Sequence, residues 1–281
     1  QGATRMVIVS GEWPDRDKRV LKEIKARGHG SYISYLEDLC RRSLELGMVP
    51  LLCVGYLFKE DLLRLRNYIG GILVVLESVE RGVEEHRNAP GKDPKLRMNF
   101  METAARLKIP VTTGVMVGRS IPVQRWHNAM TIIKNFQNEW GAVQELLIQC
   151  LITLDNDGEM SEAMDVESVM AAVREARRRF PGLRISIGWR AGLAMQSDLE
   201  TNEGLLFSDL HDHHSLIFDS LPSSLLDAVK EVLSQNPILK KRLSFRERLP
   251  ISVKLLNHGF YPQAVRSWVQ RRLARKKSVA R

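Results

Sequence analysis

Two apolar runs in the sequence end in residues that could contact a ligand. The first run starts at Gly70 and reaches Glu77, which is its first charged side chain. The second run, 109–117, contains Gly114 and is followed directly by Gly118. A carboxylate can accept hydrogen bonds from hydroxyl groups, and glycines let a flat ring lie against the backbone. The alternatives are a salt bridge from Glu77 to a neighbouring helix and tight turns at the glycines, and spacing alone favours neither reading.

The cysteines and histidines carry weaker signals. Cys40, Cys53 and Cys150 are odd in number and too widely separated for a disulfide framework, which indicates a reducing, cytoplasmic compartment. We interpret all three as core residues. The stretch His211-Asp-His-His214 could ligate a metal, but a polar loop is the favoured interpretation.

Both candidate positions belong to a strand–helix–strand unit. The strand from Gly70 is followed by a helix with Asp93 as N-cap and Pro94 in its first turn, and the run 109–117 forms the next strand. Such a unit has a right-handed crossover and brings the carboxyl ends of its strands to one edge. Glu77 and Gly118 would both lie at that edge, where parallel barrels bind ligands.

The same alternation extends along the chain. Further strands are predicted at Met6–Val9, Met48–Val54, Ala142–Ile152, Leu183–Ile187 and, as a possible seventh, Ser215–Phe218. Helices are predicted around 32–44, at 59–68, 122–139, 161–179, 195–206, 223–233 and 263–276, with a polar segment before the first. The predicted fold class is an α/β protein, a (β/α) barrel over 1–250 with a basic helical extension over 251–281.

Composition narrows the class of protein. The 281 residues are 44% hydrophobic, enough for one large core, and no apolar run approaches the roughly 18 residues of a membrane span. The net charge of +9 is concentrated at the end, where Glu247 is the one acidic residue after Lys240. Such a tail can attract nucleic acid, anionic lipid or an acidic partner protein, although a solvated helix end is the favoured interpretation. Nucleic acid is not an expected partner, because no recognition motif accompanies the charge.

Several segments together resemble a known family. They are Ser10-Gly-Glu-Trp-Pro14, Ile72-Leu-Val-Val-Leu-Glu-Ser78, Gly91-Lys-Asp-Pro94, Ala104-Ala-Arg-Leu-Lys-Ile-Pro-Val-Thr-Thr-Gly114, Val143-Gln-Glu-Leu-Leu-Ile-Gln149 and Phe245-Arg-Glu-Arg-Leu-Pro250. Over at least Val7 to Ile152 the chain resembles the first subunit, or N-terminal half, of FO synthase. That radical SAM family makes the deazaflavin 7,8-didemethyl-8-hydroxy-5-deazariboflavin.

The resemblance implies a radical SAM-type barrel, the cofactors S-adenosylmethionine and a [4Fe-4S] cluster, and a small-molecule substrate. It implies that backbone near Gly11 and Glu12 meets the ammonium group, that Glu77 binds the ribose, and that Gly114 and Gly118 lie against the adenine. The implied reaction is radical cyclisation of an adduct of tyrosine and a ribityl-diaminouracil. The implied partner is the second FO synthase subunit or half.

The chain also departs from the family pattern. The family's CxxxCxxC cluster loop is absent, because the chain begins about where the second barrel strand should, so we expect no metal ligands and an inactive chain as given. Leu51-Leu-Cys53 replaces a polar His-x-Asn, and Gly118-Arg-Ser-Ile121 replaces Gly-x-Gly-Glu. Three hypotheses stay open: an FO synthase-like enzyme whose cluster loop lies upstream, a non-catalytic binding or scaffold relative, and a sister radical SAM enzyme of menaquinone or deazaflavin assembly.

Overall fold

The computed structural model describes residues 5–46, 48–80, 89–151 and 166–189. Within them, six parallel strands form one sheet in sequence order. The strands are β1 (Arg5–Val9), β2 (Val49–Cys53), β3 (Gly71–Leu73), β4 (Val111–Val117), β5 (Val143–Cys150) and β6 (Arg184–Trp189). The helices are α1 (Lys18–Ala26), α2 (Tyr32–Glu45), α3 (Lys59–Leu65), α4 (Pro94–Arg106), α5 (Val123–Trp140) and α6 (Val166–Arg179). The predicted fold class, an α/β protein with a parallel barrel sheet, is confirmed, and the described residues form a half-barrel of six strands.

The sheet is curved, so that its first and fifth strands approach each other across the barrel interior. Arg5 Nη1 on β1 lies 2.7 Å from Glu145 Oε2 on β5, although three strands separate them in the sheet. The main core lies between the outer face of the sheet and the helices. A small second cluster, Leu73, Val75 and Leu147, fills the interior.

The strand–helix–strand unit forms as predicted around α4. The Asp93 side chain accepts hydrogen bonds from the backbone N–H groups of Lys95 and Leu96, which caps the helix start. Phe100 and Ala104 are buried against the sheet, as the helical spacing requires. Because the loop from β3 leads into α4, the start of this helix lies at the carboxyl edge of the strands.

Two elements differ from the prediction. The polar segment before Tyr32 contains a helix, α1, whose N-cap Asp17 accepts a hydrogen bond from the Arg19 N–H. Val20, Leu21 and Ile24 do stand at helical spacing, but lysines, arginines and Glu23 surround them and only Ile24 is buried, so the segment was predicted only as polar. The strand predicted to run from Gly70 to Glu77 ends at Leu73, and Glu77 forms an isolated bridge with Val115.

Several sequence predictions fall outside the described residues. They are the helix start at Ser161, the helix 195–206, the stretch His211–His214, the possible strand Ser215–Phe218, the helices after it, and the boundary between 1–250 and 251–281. The prediction that the Cys150 side chain is a core residue also lies outside what the structure describes. In the part of the chain that is described, no helix has the length and apolarity to cross a membrane.

Candidate ligand-binding site

Glu77 lies at the carboxyl edge of the sheet, but its carboxylate is already paired. Its backbone has φ 60°, and its N–H donates to the Gly114 carbonyl at 3.0 Å. Glu77 Oε2 accepts a hydrogen bond from Lys92 Nζ at 2.9 Å, and Oε1 lies 3.4 Å from Arg97 Nη1. Only 3% of the Glu77 side chain is exposed. The salt bridge left open as an alternative is therefore present, and ribose binding by Glu77 stays a prediction.

Sequence reasoning missed the two cations that hold Glu77. Lys92 directly precedes the N-cap Asp93, and Arg97 follows in the first turns of α4. A crossover helix starts near the carboxyl end of the preceding strand, which is where Glu77 stands. A basic residue beside the helix start was therefore the signal that could have identified a partner for the carboxylate.

Contact of an ammonium group with the backbone near Gly11 and Glu12 stays a prediction, but the structure also places the Glu12 side chain at this edge. A Cβ added at Gly91 would overlap the Glu12 carboxylate, and one at Gly55 would lie 2.8 Å from Glu12 Cγ. The Glu12 side chain therefore rests in a cradle of two glycines from different loops. Glu12 Oε2 is buried and has no hydrogen-bond partner among the described residues. An acceptor of this kind fits an ammonium group.

The glycines of the predicted site differ in their structural roles. A Cβ at Gly114 would overlap the Leu147 carbonyl oxygen, so the close approach of β4 and β5 requires glycine there. A Cβ at Gly118 would lie 3.3 Å from Leu151 Cβ, a tight but smaller conflict. Gly11 is exposed and has open space around it. Contact of adenine with Gly114 and Gly118 stays a prediction.

Beside Gly11, the end of β1 is fixed by a hydrogen bond between the hydroxyl groups of Ser10 and Tyr32. Tyr32 is the first residue of α2 and is 7% exposed. Burial raises the pKa of Tyr32 despite the hydrogen bond to Ser10, so the phenol stays protonated at neutral pH. This contact holds the loop that carries Gly11 and Glu12 against α2.

The described thiols do not fit an iron–sulfur cluster. Cys40 is fully buried on α2, and burial raises its pKa to about 12, whereas cluster ligands are thiolates. Cys53 lies on β2, beside the interior cluster. Within the described ranges, no three His, Cys, Asp or Glu side chains are grouped for metal binding.

The fold is shared with solved structures. The FeFe-hydrogenase maturase HydG from Carboxydothermus hydrogenoformans aligns with a TM-score of 0.53 and 16% sequence identity. The alignment covers 91% of this chain and 62% of that protein, so the chain spans less than two thirds of its length. This chain therefore shares its fold with part of a larger solved protein.

The sequence is similar to a set of named synthases, while no family model matches it. The chain is 25% identical to 7,8-didemethyl-8-hydroxy-5-deazariboflavin synthase of Methanoregula boonei over 96% of its own length and 80% of the relative's. It is 27% identical to the synthase of Methanosarcina barkeri, over 97% of this chain and 79% of the relative. It is 30% identical to the enzyme of that name from Archaeoglobus fulgidus, over 64% of this chain and 56% of the relative. The resemblance to the FO synthases seen in the sequence is confirmed.

Proposed function

We propose that this chain is an FO synthase-like radical SAM protein of deazaflavin biosynthesis. The observation that carries the proposal is the sequence similarity to several named synthases across more than nine tenths of the chain. The implied reaction cyclises an adduct of tyrosine and a ribityl-diaminouracil. S-adenosylmethionine would supply the 5′-deoxyadenosyl radical for it.

The carboxyl edge of the sheet suits the amino-acid and nucleoside parts of S-adenosylmethionine. Glu12, held over Gly55 and Gly91, offers a buried carboxylate oxygen to the ammonium group. Glu77 would accept the ribose hydroxyl hydrogens while keeping Lys92 as its counter-ion, since a carboxylate has room for several donors. Backbone at Gly114 and Gly118 would face the adenine.

A second candidate function is a non-catalytic binding or scaffold protein. It is favoured by the described thiols, which do not form a cluster site, and by Leu51, which is 1% exposed where the family has a polar residue. We therefore derive no reaction step through a cluster. This candidate predicts that the nucleoside site has been lost.

Calorimetry with two ligands separates the candidates. We expect the chain to bind both S-adenosylmethionine and 5′-deoxyadenosine with dissociation constants on the order of 0.1–1 mM. Glu12→Gln should weaken S-adenosylmethionine by about 1–3 kcal/mol and leave 5′-deoxyadenosine unchanged, because only the former carries an ammonium group. Glu45→Gln, which removes an exposed carboxylate at the end of α2, is the matched control. If neither ligand binds at several millimolar, the result supports the scaffold function instead.

A further inference from the structure

Side chains that point into the barrel alternate along β1 and β5. They are Arg5, Val7 and Val9 on β1, and Glu145, Leu147 and Gln149 on β5. The ion pair between Arg5 and Glu145 shows that the two sets face each other across the interior. The interior can therefore be described as three levels, from the amino ends of the strands to their carboxyl ends.

The lower two levels have their own partners. At the first level, the Glu145 carboxylate pairs with Arg5, accepts a hydrogen bond from the Ser186 hydroxyl and lies 3.9 Å from Arg184. At the second level, Leu147 packs with Leu73 and Val75, and Val7 lies against them. Both levels are filled by the protein itself.

Among the described residues, the third level, at the carboxyl edge, lacks such partners. The Gln149 side chain is 9% exposed, yet its Oε1 is buried and accepts no hydrogen bond within the described part of the chain. On β1, Val9 is 65% exposed although the residues below it are partly covered. A buried amide oxygen without a donor costs free energy, so a folded protein gains from a ligand that supplies one.

We propose that Gln149 contacts the ligand of this protein, its amide oxygen accepting a hydrogen bond from a ring N–H or O–H group. The ligand part is a flat aromatic or heteroaromatic ring, because the level beneath Gln149 is an apolar layer formed by Leu147, Val75 and Leu73. The inference rests on the proposed function for placing a ligand at this edge. The inference adds Gln149 as a residue that recognises the ring, which is either the adenine or a ring of the substrate.

The test compares two glutamines of the same strand. Gln144 is 8% exposed, as buried as Gln149, but its Nε2 donates to Thr112 Oγ1 at 3.2 Å. We measure binding of 5′-deoxyadenosine, L-tyrosine and 5-amino-6-ribitylaminouracil by calorimetry, and Tm by circular dichroism, for the wild type, Gln149→Leu and Gln144→Leu. The affected probe identifies the ring that Gln149 contacts.

We expect Gln149→Leu to reduce affinity for at least one probe by about fivefold or more, while Tm stays the same or rises. Gln144→Leu should lower Tm by about 2–4 °C and leave every affinity unchanged. If the wild type binds 5′-deoxyadenosine and Gln149→Leu leaves every affinity unchanged, this inference is overturned and the proposed function is not. A wild-type chain that binds none of the probes overturns the proposed function and this inference together.

Discussion

Glu77 is a carboxylate whose structural role is visible in its ion pairs and whose role in ligand binding is a prediction. It is almost fully buried, and it lies beside two cations that are themselves mostly buried, with 13% and 14% of their side chains exposed. Removal of a buried carboxylate would leave Lys92 and Arg97 without their counter-charge, which is costly. The same oxygens are the predicted ribose acceptors, so stability and binding can be measured on one residue.

Glu77→Gln should lower the free energy of unfolding by roughly 3–5 kcal/mol, because the neutral amide no longer balances the two cations. Lys92→Met in the Glu77→Gln background should cost much less than Lys92→Met alone. Urea unfolding of the four proteins in this double-mutant cycle gives the coupling free energy, expected at about 0.5–3 kcal/mol. Additive effects of the two substitutions would contradict a functional ion pair.

Ligand binding separates the second role of Glu77 from the first. If the carboxylate binds the ribose, Glu77→Gln should also weaken 5′-deoxyadenosine by roughly 1–3 kcal/mol. Arg97→Gln, which changes a cation at the same cluster but keeps the carboxylate, is the control. A variant that loses stability and keeps its affinity would leave Glu77 a structural residue.

Among the helices and strands, features set by neighbouring residues in the sequence were predicted correctly, whereas features set by distant contacts were not. The start of α4 follows from Asp93 and Pro94 alone, and the end of α5 follows from Gly141, which has φ 60°. These signals act within one turn, so the sequence shows them directly. The positive φ of Glu77 depends instead on its contacts with β4 and α4, which no local pattern contains.

Gly114 is the position where one strand most depends on its neighbour. Gly114→Ala should lower the free energy of unfolding by about 1–3 kcal/mol or more, since the new methyl group meets the rigid backbone of β5 at Leu147. Gly141→Ala is the comparison, because that site has a positive φ but open space around it. Its cost should stay near 1–2 kcal/mol.

Thermal unfolding followed by circular dichroism measures both glycine variants. A Gly114→Ala protein as stable as the wild type would mean that β4 and β5 can separate without penalty. Glycine at position 114 would then be explained by the ligand rather than by packing.

For the whole molecule, the sequence predicted the class of fold and the edge of the sheet at which Glu77 and Gly118 lie, but not the contacts across the barrel interior. Strand–helix alternation is enough to define a parallel barrel. The pairing of Arg5 with Glu145 spans 140 positions, and neither residue stands in a pattern that indicates its partner. Gln149 was not predicted either, because a buried amide oxygen without a donor can be recognised only when its surroundings are known.

The cross-barrel ion pair makes stability depend on pH. Burial raises the pKa of Glu145, but the positive charges of Arg5 and Arg184 and the hydrogen bonds from Ser186 and Arg5 outweigh it and leave the pKa below its ordinary value of 4.5. A carboxyl group with a lower pKa in the folded state stabilises the fold above its unfolded pKa. That contribution is lost as pH falls through the lower, folded-state value.

Glu145→Gln should therefore destabilise the protein most at neutral pH, by roughly 3–5 kcal/mol, because Arg5 and Arg184 lose their buried counter-charge. The wild-type and variant stabilities should approach each other as the pH falls from about 4.5 toward the lower pKa at which folded Glu145 takes up a proton. Urea unfolding midpoints between pH 7 and pH 3 measure this, with Glu45→Gln as the exposed control. Parallel curves for the wild type and Glu145→Gln across that range would show that the charge of Glu145 does not hold β1 to β5. The curvature of the half-barrel would then depend on the apolar layer of Leu73, Val75 and Leu147 alone.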